Sequence, residues 1–202
     1  MARNSYIADP STTQVITTDE AKEHLRVLFA DDDEYISNLC FAAQQNVEKY
    51  CNIILLSTEI VQRGDTWGDI GELYHSPVEN SGAATVQNIK YYDSDDVLQT
   101  WAATNYDYDN FSCPTRIGLA SGSGVELPTL ANRLNAVEVS YRVGYAAAAD
   151  VPLALKQAIL ILVGQWYENR QEAVVGRSVG LIPMTARYLM DKYRIRTFGL
   201  PS

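Results

Sequence analysis

The sequence predicts an α+β fold: a small bundle of four helices with an antiparallel β insertion between the second and third helices. Three observations carry this. Residues 151–170 (VPLALKQAILILVGQWYENR) repeat apolar side chains at Leu155, Ile159, Leu162 and Trp166, the spacing of one helix face. Residues 36–50 hold a second stripe of the same kind. Between them, residues 55–145 lose the helical period and break into short Val-, Ile-, Thr- and Tyr-rich runs separated by Gly, Pro, Asp, Asn and Ser.

Taken in order, residues 1–14 are polar and without period, and read as a flexible N-terminal arm. Thr17-Thr18-Asp19-Glu20 is a capping box, with hydroxyl and carboxylate placed to satisfy the first unpaired N–H groups of a helix. The helix that follows sets Ala21, Leu25 and Leu28 on one side and ends near Phe29-Ala30. Asp31-Asp32-Asp33-Glu34 opens a longer helix, its carboxylates complementing the positive end of the helix dipole. Ile36, Leu39, Cys40, Ala43, Val47 and Tyr50 form a continuous stripe there, with Ser37, Asn38, Gln44, Gln45 and Glu48 opposite; Asn52 is the stop. Residues 15–54 are thus the first half of a helical domain.

Strands are expected at residues 55–63, 71–75, 85–92 and 97–101, with shorter ones at Tyr106–Tyr108 and Arg116–Leu119 and a loop over residues 120–124. Residues 135–145 alternate, with Val137, Val139, Tyr141 and Val143 on one face. Residues 55–145 therefore form the β insertion, and residues 146–195 return to the helical domain. In the third helix Ala158, Ile161 and Gly164 widen the apolar face, which predicts a helix sunk in a core. Pro152 suits its first turn. Its apolar run is far shorter than the roughly 20 residues that cross a bilayer, so no membrane span is expected. Residues 173–180 read as a loop. A last helix over Pro183–Tyr193 has Met184, Leu189, Met190 and Tyr193 apolar, and residues 196–202 are a tail. Leu39, Ala43, Val47, Tyr50, Leu155, Ile159, Leu162 and Trp166 are the expected scaffold core.

At 202 residues the chain is one domain, or one domain carrying an insertion. A net charge of −9 argues against a protein that grips nucleic-acid backbone, though not against one past which DNA slides. No apolar stretch follows Met1-Ala-Arg-Asn as a secretory signal requires. The three cysteines are too few for a disulfide scaffold. Cys40 and Cys51 lie about 16 Å apart along one helix, beyond bridging distance, so a reduced, cytoplasmic setting is expected. His24 and His75 lack partners at metal-ligand spacing. The Asp-rich runs at 31–34, 93–96 and 107–109 do not match a calcium loop. Residues 64–71 lack the Lys-Ser/Thr of a phosphate loop, and Ser121 and Ser123 lack the glycines of a nucleophile elbow. No catalytic, metal or cofactor site is expected, and no enzyme. Several of the 13 tyrosines fall on β segments, where half-buried pleated surfaces favour them. They also leave open a cytoplasmic small-ligand or glycan-binding module built on the β insertion. From residue 183 onward the charges are Arg187, Lys192, Arg194 and Arg196 against Asp191 alone, a positive end on a negative chain suited to an acidic partner.

Four features in this order resemble the head–tail connector (adaptor) proteins of long-tailed bacteriophages and the related gene transfer agents. They are residues 16–27 (ITTDEAKEHLRV); the acidic start and long helix 31–50 ending Glu48-Lys49-Tyr50; residues 139–145 (VSYRVGY) leading to Val151-Pro152; and residues 155–160 (LKQAIL) running to Trp166-Tyr167-Glu168-Asn169-Arg170, closed by Tyr193-Arg194. The chain departs from its relatives at Leu73-Tyr74-His75-Ser76-Pro77, where a proline-rich strand is usual. The resemblance implies a structural protein of the virion neck, made in the bacterial cytoplasm. Such proteins form a ring, usually of twelve subunits, below the portal protein. The ring extends the DNA channel and offers a platform to a stopper or head-completion protein on the tail side. DNA would pass without sequence-specific binding, and an acidic lining would let a polyanion slide. The helical part would make the ring, with Tyr167, Glu168 and Arg170 at subunit contacts or bracing the loop that leads to the C-terminal helix. The C-terminal segment would reach the portal through Arg187, Lys192, Tyr193, Arg194, Arg196 and Phe198.

Overall fold

A computed structural model describes residues 5–9, 12–75, 86–109, 112, 114–122, 124–169 and 183–195. The chain divides into two compact units: Thr12–Leu55 with Ala147–Ser202, and Met1–Ser11 with Leu56–Ala146. Among the described residues the first holds four α-helices and the second the antiparallel sheets, so the fold is α+β, with seven strands between the second and third helices and one before the first.

In the helical unit, α1 (Thr18–Leu25) begins at the expected capping box: the Glu20 N–H donates to Thr17 Oγ1 at 3.2 Å and the Thr17 N–H to Glu20 Oε2 at 2.8 Å. It ends sooner than expected. Arg26 turns left-handed at φ 59°, so Leu28 lies beyond the helix and is 97% exposed, while Val27 is buried instead. Helix α2 (Asp33–Cys51) buries Ile36, Cys40, Ala43, Val47 and Cys51 and stops at left-handed Asn52. Leu39 and Tyr50, expected in its core, sit on the flanks of that stripe and are only partly covered. Gln44, expected on the solvent side, is buried because its Oε1 accepts the Val15 N–H at 2.9 Å, pairing a backbone donor of the segment before α1.

Helix α3 (Leu153–Glu168) packs against α1, α2 and α4 (Met184–Asp191). It buries Leu155, Ala158, Ile159, Leu162 and Val163. It is not sunk all round: Leu160, Ile161 and Trp166 are partly exposed, so Trp166 is no fully buried core residue. One apolar side faces the other three helices, and the remainder is left open within this unit. Gly164 faces His24 and Leu25, which occupies His24 in helix packing. In α4 only Ala186 and Met190 are buried, and Met184, expected on the apolar face, is 89% exposed.

The strand unit holds two sheets. One has five strands in the order β1-β2-β8-β4-β5, all neighbours antiparallel: β1 (Ser5–Asp9), β2 (Thr58–Gly64), β8 (Val137–Val143), β4 (Val86–Tyr92) and β5 (Leu98–Trp101). The other is β3-β7-β6: β3 (Glu72–Leu73), β7 (Thr115–Leu119) and β6 (Tyr106–Asp109). β1 lies where the sequence places a flexible arm. Its order comes from ladder pairing with β2, and Tyr6 and Ile7 are about half exposed, so no hydrophobic period announces it.

Val137, Val139, Tyr141 and Val143 of the central strand β8 are all buried, as their alternation predicts. Gln62 lies in the same core, fully covered and well bonded. Its Nε2 donates to the carbonyls of Asp69 and Glu72, and its Oε1 accepts from the Tyr141 hydroxyl and the Tyr74 N–H. Trp67, Tyr91, Trp101 and Tyr106 form an aromatic cluster in the same unit, with neighbouring ring centroids 4.8 to 5.7 Å apart. After β8 the chain passes Leu56 so closely that a Cβ on Gly144 would lie 2.5 Å from the Leu56 carbonyl; Gly144 also has φ +97°. Only glycine fits there.

Candidate assembly surface

Helix α4 is the short helix that carries exposed apolar residues. Met184 and Tyr188, one turn apart, are 89% and 72% exposed, with Arg187 beside them. An eight-residue helix does not hold its shape alone. Two anchors on the end of α2 secure it. Tyr50 is the first: its hydroxyl donates to Asp191 Oδ1 at 2.7 Å and accepts from Arg187 Nε at 3.0 Å, while the Arg194 guanidinium lies over its ring at 4.9 Å. Cys51 is the second: its carbonyl accepts the Ile195 N–H at 2.9 Å, and its thiol donates to the Met190 carbonyl.

Three of the basic or aromatic positions singled out in the sequence therefore have definite places. Arg187 and Arg194 gather on Tyr50, which orients them and leaves them at the surface. Tyr193 is partly covered, its N–H bonded to the Met190 carbonyl. Lys192 is exposed. Arg196 and Phe198 lie outside the described residues. What the sequence missed is Tyr50 as the hub: a tyrosine at the end of an apolar stripe looks like core, and only the return of the chain 141 residues later reveals its hydroxyl as a bridge.

At the end of α3, Tyr167 is committed within the chain. Its hydroxyl donates to Asp32 Oδ2 at 2.6 Å and its ring lies 6.2 Å from Tyr35. Glu168 is exposed, and Arg170 lies outside the described residues.

The acidic runs have structural employment. Asp32 takes the Tyr167 hydroxyl, and Asp33 pairs with Lys22 at 2.6 Å. Asp93 closes the β4–β5 turn: its side chain accepts from Gln99 Nε2 and from the backbone of Val97 and Asp95, which together hold its carboxyl below the usual range. Asp109 pairs with Arg116. Among the described residues no group of three His, Cys, Asp or Glu could hold a metal ion. Cys40 and Cys51 are free and buried, and burial pushes both thiols up to about 11, away from nucleophile territory. His75 bonds Ser5 at 3.1 Å and so ties β1 to the segment after β3. Among the described residues no helix is long and apolar enough to cross a membrane.

Residues 15–82 match the phage gp6-like head-tail connector protein family. The chain is also similar over nearly its whole length to chains of solved gene transfer agent structures. One, in the virion of a native gene transfer agent particle, has TM-score 0.70 and 25% identity, covering 98% of both chains. A second, in the neck of an empty particle with C6 symmetry, has TM-score 0.68 and 24% identity at the same coverage. A third, in the neck of a native particle with C12 symmetry, has TM-score 0.65 and 23% identity, again with 98% of both chains covered. No curated protein matches the chain.

Proposed function

We propose that this chain is a head–tail connector subunit of a phage or gene transfer agent neck, a structural part rather than a catalyst. The carrying observation is the similarity along 98% of both chains to a component of a native gene transfer agent virion, together with the family match in residues 15–82. Twelve copies form a ring below the portal that extends the DNA channel and presents a platform to a stopper on the tail side. The C12 symmetry of one similar neck supports that stoichiometry. DNA passes without sequence-specific contact, in keeping with a net charge of −9.

In this reading α4 is the portal-facing element. Its exposed Met184 and Tyr188 supply the apolar contact, and Arg187 and Lys192 the charge. Glu168 remains available at the end of α3 for a neighbouring subunit. Deleting everything after Pro183 is a poor test of docking, because Ala186 and Met190 are buried and Ile195 is bonded to Cys51. The better test is a Met184→Ala/Tyr188→Ala double variant followed by electron microscopy of assembled particles. The expected result is folded protein absent from the neck; normal occupancy overturns the docking role. Density for the wild-type chain away from the neck overturns the function itself.

A further inference from the structure

The outward side of the five-stranded sheet carries a cleft of about 310 Å³ bounded by β2, β4, β5, β8 and the turn before β8. The ladder register builds it. Glu138 on β8 stands opposite Arg63 on β2 and opposite Lys90 on β4, one carboxylate between two cations. It bonds Arg63 Nε at 2.7 Å, and Lys90 makes no ion pair among the described residues. At the rim Arg133 pairs with Asp96 at 2.9 Å, and its guanidinium covers the Tyr92 ring 3.7 Å from the centroid. Leu98, about half exposed, borders the same space.

Three cations therefore converge on one small cleft of a strongly acidic chain. The two ion pairs are open to water, with side-chain exposures of 41% and 22% in one and 39% and 66% in the other. Pairs so exposed are weak and exchange partners readily. The cleft keeps a positive character, centred on Lys90.

We propose that this cleft receives an aspartate or glutamate side chain of a neighbouring copy of this chain, with Lys90 as its ion-pair partner and the Arg133–Tyr92 stack as its wall. The proposal rests on the ring reading above. Copies that each carry −9 repel one another, so a closed ring needs a place where negative charge is accepted. Exposed carboxylates are plentiful on the same chain, among them Asp31, Glu34 and Glu168. A nucleic-acid backbone fits less well, because it calls for a run of free cations, and here Arg63 and Arg133 already have carboxylates. Leu98 and the Tyr92 ring suit the methylenes of an incoming glutamate.

The test uses assembled particles grown with a mixture of ordinary and 15N-labelled copies. Carbodiimide joins ammonium and carboxylate groups already in contact, and mass spectrometry identifies the peptides. The expected product joins Lys90 of one isotope to an Asp or Glu peptide of the other. Lys90 joined only to Glu138 of its own chain, or to a carboxylate of a different protein, overturns the proposal. In parallel, Lys90→Glu should lower ring occupancy at least about tenfold and, facing Glu138, melt slightly lower while staying folded; Lys90→Arg stays near wild type in both occupancy and melting temperature. Occupancy of Lys90→Glu within twofold of wild type also overturns it. A wild-type neck that shows no ring by electron microscopy sinks the ring reading itself, whereas a ring with Lys90 unlinked sinks only the cleft.

Discussion

Helices α3 and α4 belong to the same unit and use apolar residues to different ends. α3, sixteen residues long, buries five of them against three neighbouring helices. α4, half that length, buries two and turns Met184 and Tyr188 to solvent. α3 could be changed only at the cost of the fold. α4 is held by a hydroxyl, a carbonyl and a stacked guanidinium, so its outer face is free to vary. The contrast separates apolar residues that carry stability from apolar residues left at the surface.

The contrast can be broken or sharpened by mutation. The largest effect belongs to α3: Leu162→Ala or Ile159→Ala should cost about 2–5 kcal/mol in urea unfolding. Trp166→Ala should cost clearly less than a fully buried tryptophan, about 1–2 kcal/mol, because its ring is only partly covered. A larger loss would place Trp166 back in the core. Tyr50→Phe removes the hydroxyl between Arg187 and Asp191 and should cost about 0.5–1.5 kcal/mol. Faster amide exchange should then appear in α4 and not in α3.

Glu48 supplies a test by pH. Burial pushes its carboxyl above the ordinary range, partly offset by the hydrogen bond from the Leu55 N–H. The folded chain therefore takes up that proton at higher pH than the unfolded chain does. The ionised form opposes folding at neutral pH, and this penalty fades as pH falls through the folded-state value. Glu48→Gln keeps an oxygen for Leu55 and should raise the melting temperature at neutral pH, with the advantage vanishing on acidification. A constant difference across pH would mean that Glu48 acts through packing alone. Smallest of all, Met184→Ala and Tyr188→Ala should change stability by no more than about 0.5 kcal/mol.

What could be seen in the sequence follows from how each element is stabilised. The stripe Ile36–Val47 and the alternation Val137–Val143 were legible because burial itself sets their period. The Thr17–Glu20 cap was legible because it is local. β1 was not, since its order lies in hydrogen bonds to a strand fifty residues away. Gln44 and Gln62 were hidden for a related reason: each is a polar side chain buried because it pairs groups that only the fold brings close. Leu28 misled because three-residue spacing means one face only while the helix continues, and Arg26 ends it first. At the candidate surface, residue types pointed to the C-terminal basic end, but the Tyr50 hub that organises it required the chain to return.

The Gly144–Leu56 approach has a consequence for the order in which the chain takes shape on the ribosome. The two ends of the insertion are pinned together there, and Leu56 and Tyr145 form a bridge beside it. Residues 56–146 can close on themselves as soon as β8 has emerged, capturing β1, which was made first. Helices α1 and α2, made long before, must wait for Leu155 to Val163 before their apolar faces are covered. A nascent chain halted after β8 would thus carry a finished strand unit and an unfinished helical one, with Ile36, Cys40, Ala43 and Val47 exposed to whatever chaperone is at hand.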